Sequence, residues 1–489
     1  MLKIGIIGGG LSGLVTAKTM LEYGYEIIVF EKNNEAGGVW AGKNHYPGLC
    51  IQNTRDSYAF SDFPMPKHYP EFPSGGQMLD YLKSYIRRFS LDEHIRTEHH
   101  VKEIQLLHQN GKTRWAVKGA KGDDSFYEEV DFLIICNGTF SEPFIPHKEG
   151  MEIFSAEGGS ILHTSQVNNE VAYKDKEVVV IGFGKSACDV AAAIAPEAKK
   201  VSIIYNEAKW KVPKKILGIN YKYIVLSRFG ESLTKLRYRN RIESTIHFLK
   251  IPSAAIGFLQ RVFVKQQGLS KINLKPSLGI KDYLFGELSV ESDNFYKQVQ
   301  QHKIVPVKAA IKSFAKGGIY LSDESFVKAD TVIFGTGFSQ ELPFIPAAIR
   351  KMFTDEKGNY QLYRNILPVG VPALAFNGYN SSFFCNLTSE IGALWLAEYT
   401  SGHIKTPSIE EMNSQIQEHQ EWRKQFRMNA FFKGASVYPF NITYVDWLLK
   451  DMNARLPFGK LLSEWLVVVN PANYAGVKKK IMKRSFEAR

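Results

Sequence analysis

KIGIIGGGLSG, residues Lys3–Gly13, is the stretch that decides the fold of this chain. Its apolar residues predict a buried strand, and Gly8, Gly10 and Gly13 follow at the spacing G-x-G-x-x-G. In such a turn the first glycine permits a sharp bend, the second lets backbone approach a pyrophosphate, and the third lets helix and strand pack closely. N–H groups at the start of the next helix then bind the phosphates, aided by the helix dipole. The stretch predicts a dinucleotide-binding βαβ unit.

An acidic residue stands where such a unit binds a ribose. A second apolar strand, Glu26–Phe30, ends in Glu31, followed by Lys32. An acid about 20 residues beyond the glycines is the usual partner of a ribose hydroxyl. Strand, glycines, helix, strand and terminal acid together favour a nucleotide site over a merely structural turn.

The same pattern returns in the middle of the chain. The strand Glu177–Ile181 is followed by Gly182, Gly184 and, at the third position, Ala187, which is tolerated there. A helix over Ser186–Ile194 and a strand over Val201–Tyr205 complete a second, independent unit. Two dinucleotide sites in one chain are therefore predicted.

The second unit differs from the first at the end of its second strand. Asn206 and Glu207 stand there, and four lysines follow closely. Because bases suit a 2′-phosphate whereas an acid suits a free ribose, this end favours NADP over NAD, with Glu207 as the dissenting residue. The lysines are Lys209, Lys211, Lys214 and Lys215.

Composition and charge limit the classes of protein to which this chain can belong. The 489 residues allow two or three domains, and the net charge is +12. Four scattered cysteines without a C-x-x-C pair argue against a zinc site, a disulfide framework and a dithiol redox centre, and no metal site is predicted. The first strand begins so soon after Met1 that no signal peptide is expected, and no apolar run reaches about 20 residues, so a cytoplasmic location is expected.

The positive charge is concentrated in two segments. Residues 211–265 hold twelve basic and two acidic residues, or +10, and 477–489 carry +5. These segments fit solvated faces with a phosphate site, a peripheral membrane contact, or, least well, a nucleic-acid surface, since no nucleic-acid-binding module accompanies them. The sequence does not give the oligomeric state.

Assembled, the pieces resemble class B flavin monooxygenases, and more narrowly the flavin-containing monooxygenase family, over nearly the whole length. The motifs that carry the resemblance are GGGLSG at Gly8–Gly13, GGVW at Gly37–Trp40, FSDFP at Phe60–Pro64, NGTFSEP at Asn137–Pro143, IGFGKSACD at Ile181–Asp189 and GTGF at Gly335–Phe338.

The resemblance implies an α/β fold with two Rossmann-like domains. A discontinuous FAD-binding domain is expected at 1–165 and 325–405, since the apolar strands at Thr331–Phe338 and Ala373–Tyr379 are expected to return to it. An NADP-binding domain with a helical insertion at about 216–270 is expected at 166–324. The remainder, 406–489, is expected to be a helical segment ending in the basic tail.

The resemblance also implies the residues of the two sites. For FAD these are Gly8, Gly10, Leu11, Ser12, Gly13, Glu31, Lys32, Gly38, Val39, Trp40, Asn53, Asn137 and Gly138. For NADPH they are Gly182, Gly184, Lys185, Ser186, Asn206 and Lys209, and Thr336 and Gly337 are also expected to contact a cofactor.

The family places an amide beside the flavin shortly before the D-F-P turn. Counting gives Gln52 and residue type gives Asn53, so both remain candidates for the catalytic amide. Its partner would be the flavin peroxide or the nicotinamide carboxamide.

One family fingerprint, F-x-G-x-x-x-H followed by an aromatic residue, is only partly present. Gly159 and His163 keep their spacing, but Glu157 and Val167 replace the two aromatic positions. This departure counts against the Baeyer–Villiger branch of the class.

The predicted activity is therefore NADPH- and O₂-dependent oxygenation of a soft nucleophile, nitrogen or sulfur, through a C4a-hydroperoxyflavin. The substrate is a small molecule of unknown identity. Baeyer–Villiger oxygenation of a carbonyl and a non-catalytic FAD-binding redox sensor are the alternatives.

Overall fold

The computed structural model describes residues 1–109, 111–234, 240–283, 288–424, 436–437 and 441–487. The elements of the first part of the chain are β1 (Lys3–Ile7), α1 (Leu11–Glu22), β2 (Glu26–Phe30), α2 (Gly75–Arg88), β3 (Ile95–Arg96), β4 (His100–Gln109), β5 (Lys112–Lys121), β6 (Asp124–Val130), β7 (Phe132–Ile135), β8 (Glu142–Pro143) and α3 (Met151–Ala156). The middle part contains β9 (Ser160–His163), β10 (Glu177–Ile181), α4 (Lys185–Ile194), β11 (Lys200–Tyr205), β12 (Lys211–Val212), β13 (Lys215–Ile216), β14 (Ile219–Asn220), α5 (Lys222–Val225), α6 (Arg228–Thr234), α7 (Arg241–Phe248), α8 (Ile251–Gln266), β15 (Ser289–Val290), α9 (Phe295–Gln300), β16 (Ile304–Lys308), β17 (Ile311–Ala315), β18 (Gly318–Leu321), β19 (Phe326–Lys328) and β20 (Thr331–Phe334). The last part contains β21 (Phe338–Ser339), α10 (Ala347–Met352), β22 (Leu362–Tyr363), β23 (Leu367–Pro368), β24 (Leu374–Phe376), β25 (Asn380–Ser381), α11 (Cys385–Thr400), α12 (Ile409–Lys424), β26 (Ser436–Val437), α13 (Ile442–Asp451), α14 (Phe458–Leu466) and α15 (Ala472–Glu487).

Two five-stranded parallel sheets form the framework, and they share one topology. The first has the order β24-β7-β1-β2-β3 and the second, taken from the other edge, β9-β20-β10-β11-β16. In each sheet the strand that precedes a glycine turn is central, because the residues after its first, charged one are apolar and are covered on both faces. A three-stranded antiparallel meander, β4–β6 or β17–β19, is inserted at the equivalent place in each. The predicted α/β fold with two Rossmann-like units is confirmed.

Two strands lie in a different sheet from the one predicted. β20 pairs with β10, with Val178 opposite Thr331, and β9 pairs with β20, so both complete the second sheet. Only β24 returns to the first sheet, beside β7. Strands β7 and β20 are both apolar, each is followed by a glycine-containing turn, and they occupy equivalent positions in the two sheets. The prediction that the strand at Thr331–Phe338 belongs to the first sheet was wrong, because β20 is the counterpart of β7 in the second sheet.

Two parts of the chain are mainly helical in the described residues. Helices α5–α8 occupy the predicted insertion, apart from residues 235–239, which lie outside the described residues. Helices α12–α15 form the C-terminal segment. The buried helix α11 packs against α1 and thereby joins this segment to the first sheet.

Candidate active site

The first glycine turn is too tightly packed for side chains at two of its glycines. Gly8 has φ +106°, and a Cβ there would lie 2.6 Å from the carbonyl oxygen of Cys136. A Cβ on Gly13 would collide with the carbonyl oxygen of Gly8. With Gly10 as its N-cap, α1 begins at Leu11, so the N–H groups of the first-turn residues, which include Ser12, have no partner within the helix. The turn presents an anion-binding helix start at the carboxyl edge of β1.

Glu31 lies beneath this turn at the end of β2. Its carboxylate is buried and accepts hydrogen bonds from the backbone N–H of Gly9 at 2.7 Å and of Asn33 at 2.9 Å. Burial raises the pKa of Glu31, against these bonds, which lower it. Lys32 points outward and pairs with Glu142 at 2.5 Å. The predicted ribose acid therefore stands at the turn, whereas Lys32 forms an exposed surface pair.

The G-G-V-W segment covers the same turn. A Cβ on Gly38, whose φ is +60°, would lie 2.9 Å from the Cα of Gly10, so the two backbones are in contact. Trp40 is buried and Val39 is exposed. The structure thus brings Gly10 and Gly38 together, as the prediction requires, but gives Val39 a solvent-facing side chain.

The two candidate amides have different surroundings. Asn53 is fully buried, and its Nδ2 donates to the carbonyl oxygen of Phe383 at 2.5 Å while its Oδ1 accepts from Thr54 N and Ser57 Oγ, both at 2.6 Å. The Oε1 of Gln52 accepts from the backbone N–H of Val290 in β15 at 3.1 Å. Asn53 is therefore fixed by its own loop and by Phe383, and Gln52 reaches β15, which lies in the chain between β11 and β16 of the second sheet.

Residues after β7 meet those after β24. Asn137 Oδ1 accepts from the hydroxyl of Tyr379 at 2.6 Å, and Gly138 has φ +76°. The Oγ1 of Thr139 is buried and has no hydrogen-bond partner among the described residues. These groups stand at the carboxyl ends of adjacent parallel strands, where ligands of such sheets bind.

The second glycine turn repeats the first but is more open. Gly182 has φ +111°, and a Cβ there would lie 2.5 Å from the carbonyl oxygen of Gly335. At Gly184 a Cβ would meet no described heavy atom within 4 Å. Lys185 pairs with the buried Asp189, and Ser186 Oγ accepts from Thr164 Oγ1 at 3.3 Å. The open side at Gly184 leaves room for a phosphate to approach the start of α4.

The lysines after β11 do not form one cluster. Asn206 is exposed and Lys209 is half-buried, but Lys211 turns inward and is buried. Its Nζ donates to the carbonyl oxygen of Phe183 and to Ser289 Oγ, both at 2.9 Å, and burial lowers its pKa to about 8. Lys214 pairs with Asp293 at 2.6 Å. Of the basic residues that favour NADP in the sequence, Lys211 therefore supports the glycine turn from within, and the role of Lys209 at the 2′-phosphate stays a prediction.

The G-T-G-F segment follows β20 of the second sheet. Thr336 Oγ1 donates to the carbonyl oxygen of Phe144 at 2.5 Å. The carbonyl oxygen of Gly337 accepts from His163 Nε2 at 2.9 Å, while His163 Nδ1 accepts from Ser165 N at 3.2 Å. Burial lowers the pKa of His163, against the bond to Gly337, which raises it. His163 is accordingly a neutral histidine satisfied by its bonds.

A buried ion network was missed by the sequence analysis. Lys478 of α15 pairs with Asp62 at 2.9 Å and with Glu390 of α11, whose carboxylate also accepts from Ser61 N and Oγ, each at 2.8 Å. Lys18 of α1 pairs with the same Asp62 at 2.6 Å. Lys478 had been counted in the basic tail. The helical spacing of the buried residues on α15 could have revealed it: Tyr474, Val477, Lys478, Ile481 and Ser485.

The described residues add three observations about metal ligands, cysteines and membrane spans. In the described part of the chain, His, Cys, Asp and Glu side chains nowhere gather in threes as metal ligands would. The four cysteines are free thiols. No described helix combines the length and apolar character that a membrane span needs.

Two glycine turns, each at the carboxyl edge of its own parallel sheet, define a protein with two dinucleotide-binding units. The chain belongs to the flavin-binding monooxygenase-like family, whose model matches residues 1–464. The family predicted from the motifs is thereby confirmed, and with it the class of flavoprotein oxidoreductases.

Individual relatives and solved structures are similar to this chain over most of its length. A putative flavin-containing monooxygenase 2 of Arabidopsis thaliana is 28% identical over 490 residues, covering 93% of this chain and 97% of the relative. The solved S-allyl-L-cysteine S-oxygenase of Allium sativum has a TM-score of 0.63 at 19% identity and covers 100% of this chain and 98% of its own. A cyclohexanone monooxygenase of Rhodococcus sp. Phi1, bound to NADP+, has a TM-score of 0.69 at 17% identity, with coverages of 95% and 98%. At these identities the solved structures support the fold alone.

Proposed function

We propose that the protein is an NADPH- and O₂-dependent flavin monooxygenase that oxygenates a nitrogen or sulfur nucleophile of a small molecule. The observation that carries the proposal is the duplicated glycine turn. Each turn places helix N–H groups at the edge of a sheet, so one chain offers two dinucleotide cradles. FAD, when bound, would supply the redox chemistry and the activation of O₂.

The residues present fit an FAD in the first cradle and an NADPH in the second. In the first, the helix start at Leu11–Gly13 would bind the pyrophosphate, and Glu31, which already accepts from Gly9 N, would also accept from the ribose. In the second, the open side of Gly184 would admit the pyrophosphate, and Asn206 with Lys209 would face the 2′-phosphate. We place the FAD domain on the sheet of β1 and the NADPH domain on the sheet of β10.

We propose Asn53 as the amide closest to the flavin. It lies on the same loop as Ser61 and Asp62, which the buried ion network attaches to α11 and α15. Its three hydrogen bonds fix the side chain, so its orientation is set before any ligand binds. Gln52, bonded to β15, would instead connect this loop to the nicotinamide side. Asparagine in this position would orient a cofactor or substrate, and a closed surrounding would exclude water.

Oxygenation of a carbonyl is the second candidate, since a cyclohexanone monooxygenase shares the fold. Two features count against it. Glu157, where that branch has an aromatic residue, is exposed and pairs with Lys316 at 2.7 Å. Val167, at the second aromatic position, is small and buried. A non-catalytic sensor is disfavoured by the open second turn, which a sensor would not need.

A substrate panel tests the proposal. NADPH oxidation is followed with amines, thioethers and ketones, while oxygenated product and hydrogen peroxide are measured in parallel. The proposal expects product from an amine or thioether in amounts close to the NADPH consumed. Product from ketones alone would assign the carbonyl reaction. If the FAD-loaded protein does not oxidise NADPH, the non-catalytic sensor is the function that remains.

A further inference from the structure

The last helix, α15, places a lysine against two acids from distant parts of the chain. The side chain of Lys478 is 4% exposed, and its Nζ lies 2.9 Å from Asp62 Oδ2 and donates to Glu390 Oε1. Glu390 is fully buried on α11. The family model matches residues 1–464, so both acids lie inside the matched stretch and the lysine lies beyond it.

Both acids hold the loop of residues 51–63. Asp62 belongs to this loop and also pairs with Lys18 of α1 at 2.6 Å, and α1 begins at the first glycine turn. Glu390 accepts from the backbone N–H and from the hydroxyl of Ser61, each at 2.8 Å. The lysine of α15 therefore joins two anchors of one loop.

The same loop contacts the start of α11 at two more points. Asn53 Nδ2 donates to the carbonyl oxygen of Phe383 at 2.5 Å, and the hydroxyl of Tyr58 lies 2.9 Å from the Sγ of Cys385. Glu390, in the second turn of α11, supplies the charged contact. The position of the loop is thus set by the first two turns of this helix.

Further contacts place the loop between the two glycine turns. The ring of Tyr58 packs edge-on against Trp40, in the segment that covers the first turn, with 6.2 Å between the ring centroids. On the other side, Gln52 accepts from the backbone N–H of Val290 at 3.1 Å and, through its carbonyl oxygen, from the hydroxyl of Tyr221 at 2.6 Å. The loop therefore reaches from the first turn to the stretch of chain between β11 and β16.

Glu390 depends on Lys478 for a cation. Among the described residues, Lys478 is the cation within ion-pair distance of Glu390. Asp62, in contrast, also pairs with Lys18. A buried carboxylate that loses its cation takes up a proton or draws in another charge. A neutral Glu390 accepts more weakly from Ser61, because a hydrogen bond to a charged group is roughly twice as strong as one to a neutral group.

We propose that Lys478 is a positioning residue of the monooxygenase: through the two acids it fixes loop 51–63 between the nucleotide sites and keeps oxygenation coupled to NADPH oxidation. The inference rests on the function proposed above. In the coupled reaction, NADPH, H⁺, O₂ and substrate give NADP⁺, water and oxygenated product. In the uncoupled reaction, which a loosened site favours by admitting water, NADPH, H⁺ and O₂ give NADP⁺ and hydrogen peroxide.

Hydrogen exchange of the ligand-free, full-length protein tests the positioning, because the N–H of Ser61 is bonded to Glu390. Lys478→Met is expected to speed exchange in peptides that cover 54–63 about tenfold or more. Lys478→Arg keeps a cation and is expected to restore most of the protection. Ile481→Ala is the matched control: it weakens the packing of α15 but keeps the lysine, so 54–63 should exchange as in the wild type.

Turnover of the FAD-loaded protein tests the consequence. With a thioether or an amine, the share of NADPH that ends as hydrogen peroxide is expected to rise about threefold or more in Lys478→Met. The KM for NADPH should change by less than about twofold, because the second glycine turn is untouched. Lys478→Arg should return the peroxide share towards that of the wild type. Ile481→Ala and the exposed Lys480→Met should leave it unchanged.

A further variant covers the case in which Lys478→Met does not fold. Lys478→Met with Glu390→Gln leaves no unpaired buried charge, and the neutral amide accepts more weakly from Ser61 than the carboxylate does. It is expected to show faster exchange in 54–63 and more peroxide than the wild type. All measurements are made well below the lowest Tm of the set.

The outcomes separate this inference from the proposed function. Wild-type protein that oxidises NADPH, together with Lys478 variants whose exchange or peroxide share is unchanged, overturns this inference alone. Ile481→Ala that matches Lys478→Met in both measurements gives the lysine a merely structural role and also overturns it. FAD-loaded wild type that does not oxidise NADPH overturns the proposed function, and the coupling role with it.

Discussion

At the residue scale, a substitution at Gly184 is expected to weaken NADPH binding without affecting folding. Gly184→Ala adds a methyl group that meets no described atom within 4 Å, at a φ of −71° that alanine adopts freely. We expect the free energy of unfolding to change by less than about 1 kcal/mol and the FAD content to stay unchanged. The KM for NADPH should rise about tenfold or more, because the methyl group occupies the approach of the pyrophosphate.

Gly13→Ala is the matched variant in the first turn. Its methyl group would collide with the carbonyl oxygen of Gly8, so we expect loss of flavin and of stability. Steady-state kinetics, flavin content and thermal melting distinguish the two variants. A Gly184→Ala protein with wild-type KM for NADPH would contradict the assignment of the second cradle.

Lys211 makes stability depend on pH in a defined window. Burial lowers its pKa in the folded chain to about 8 from its ordinary value of 10.5, so between these values the unfolded chain binds more protons. Stability therefore rises with pH across this window, by about 1.5 kcal/mol from this group between pH 8 and pH 9.5. Denaturant unfolding at both pH values should show that Lys211→Met lacks this increment.

Lys215→Met is the control for Lys211, because Lys215 is exposed on the same segment. It should keep the pH dependence of the wild type. Equal pH dependence of the wild type and Lys211→Met would mean that Lys211 is not the titrating group.

At the scale of elements, the buried Lys478 of α15 pairs with Glu390 of α11 and with Asp62. Lys478→Met leaves the carboxylate of Glu390 buried without its cation, which costs about 3–5 kcal/mol. Burial lowers the pKa of Lys478, but Glu390 and Asp62 together raise it, so the lysine is charged at neutral pH. Thermal melting should show a large decrease in Tm for this variant.

Two further variants identify the cause. Lys480→Met, exposed on the same helix, should change stability by less than about 0.5 kcal/mol. Adding Glu390→Gln to Lys478→Met should restore part of the loss, because the unpaired charge is removed. A Lys478→Met protein as stable as Lys480→Met would refute the role of the network.

Sequence patterns predicted helices and strands better than they predicted which strands pair and which side chains are buried. Both glycine turns, the strands β1, β2 and β10 and the helix α4 were predictable, since each depends on local spacing. The membership of β20 was not, because the motif after it fits equivalent positions in either sheet. Lys211 and Lys478 were missed because a count of charge treats every lysine as solvated.

At the scale of the whole molecule, the two parallel sheets share one strand order, but their edge strands come from different parts of the chain. The edge strand β24 joins the first sheet from beyond the whole second unit, and the edge strand β9 joins the second sheet from just before its glycine turn. Each sheet therefore includes an edge strand from outside its own βαβ motif. Sequence reasoning could therefore predict two units but not where one ends, because strand pairing is a tertiary choice.

The most direct measurement follows the visible absorption of bound flavin in the FAD-loaded protein. NADPH is added without oxygen, and O₂ is then admitted together with a thioether or an amine. We predict retained flavin, bleaching by NADPH, recovery on oxygen, and one oxygenated product for each NADPH consumed. A chain that retains no flavin, or whose flavin NADPH does not reduce, would contradict the account.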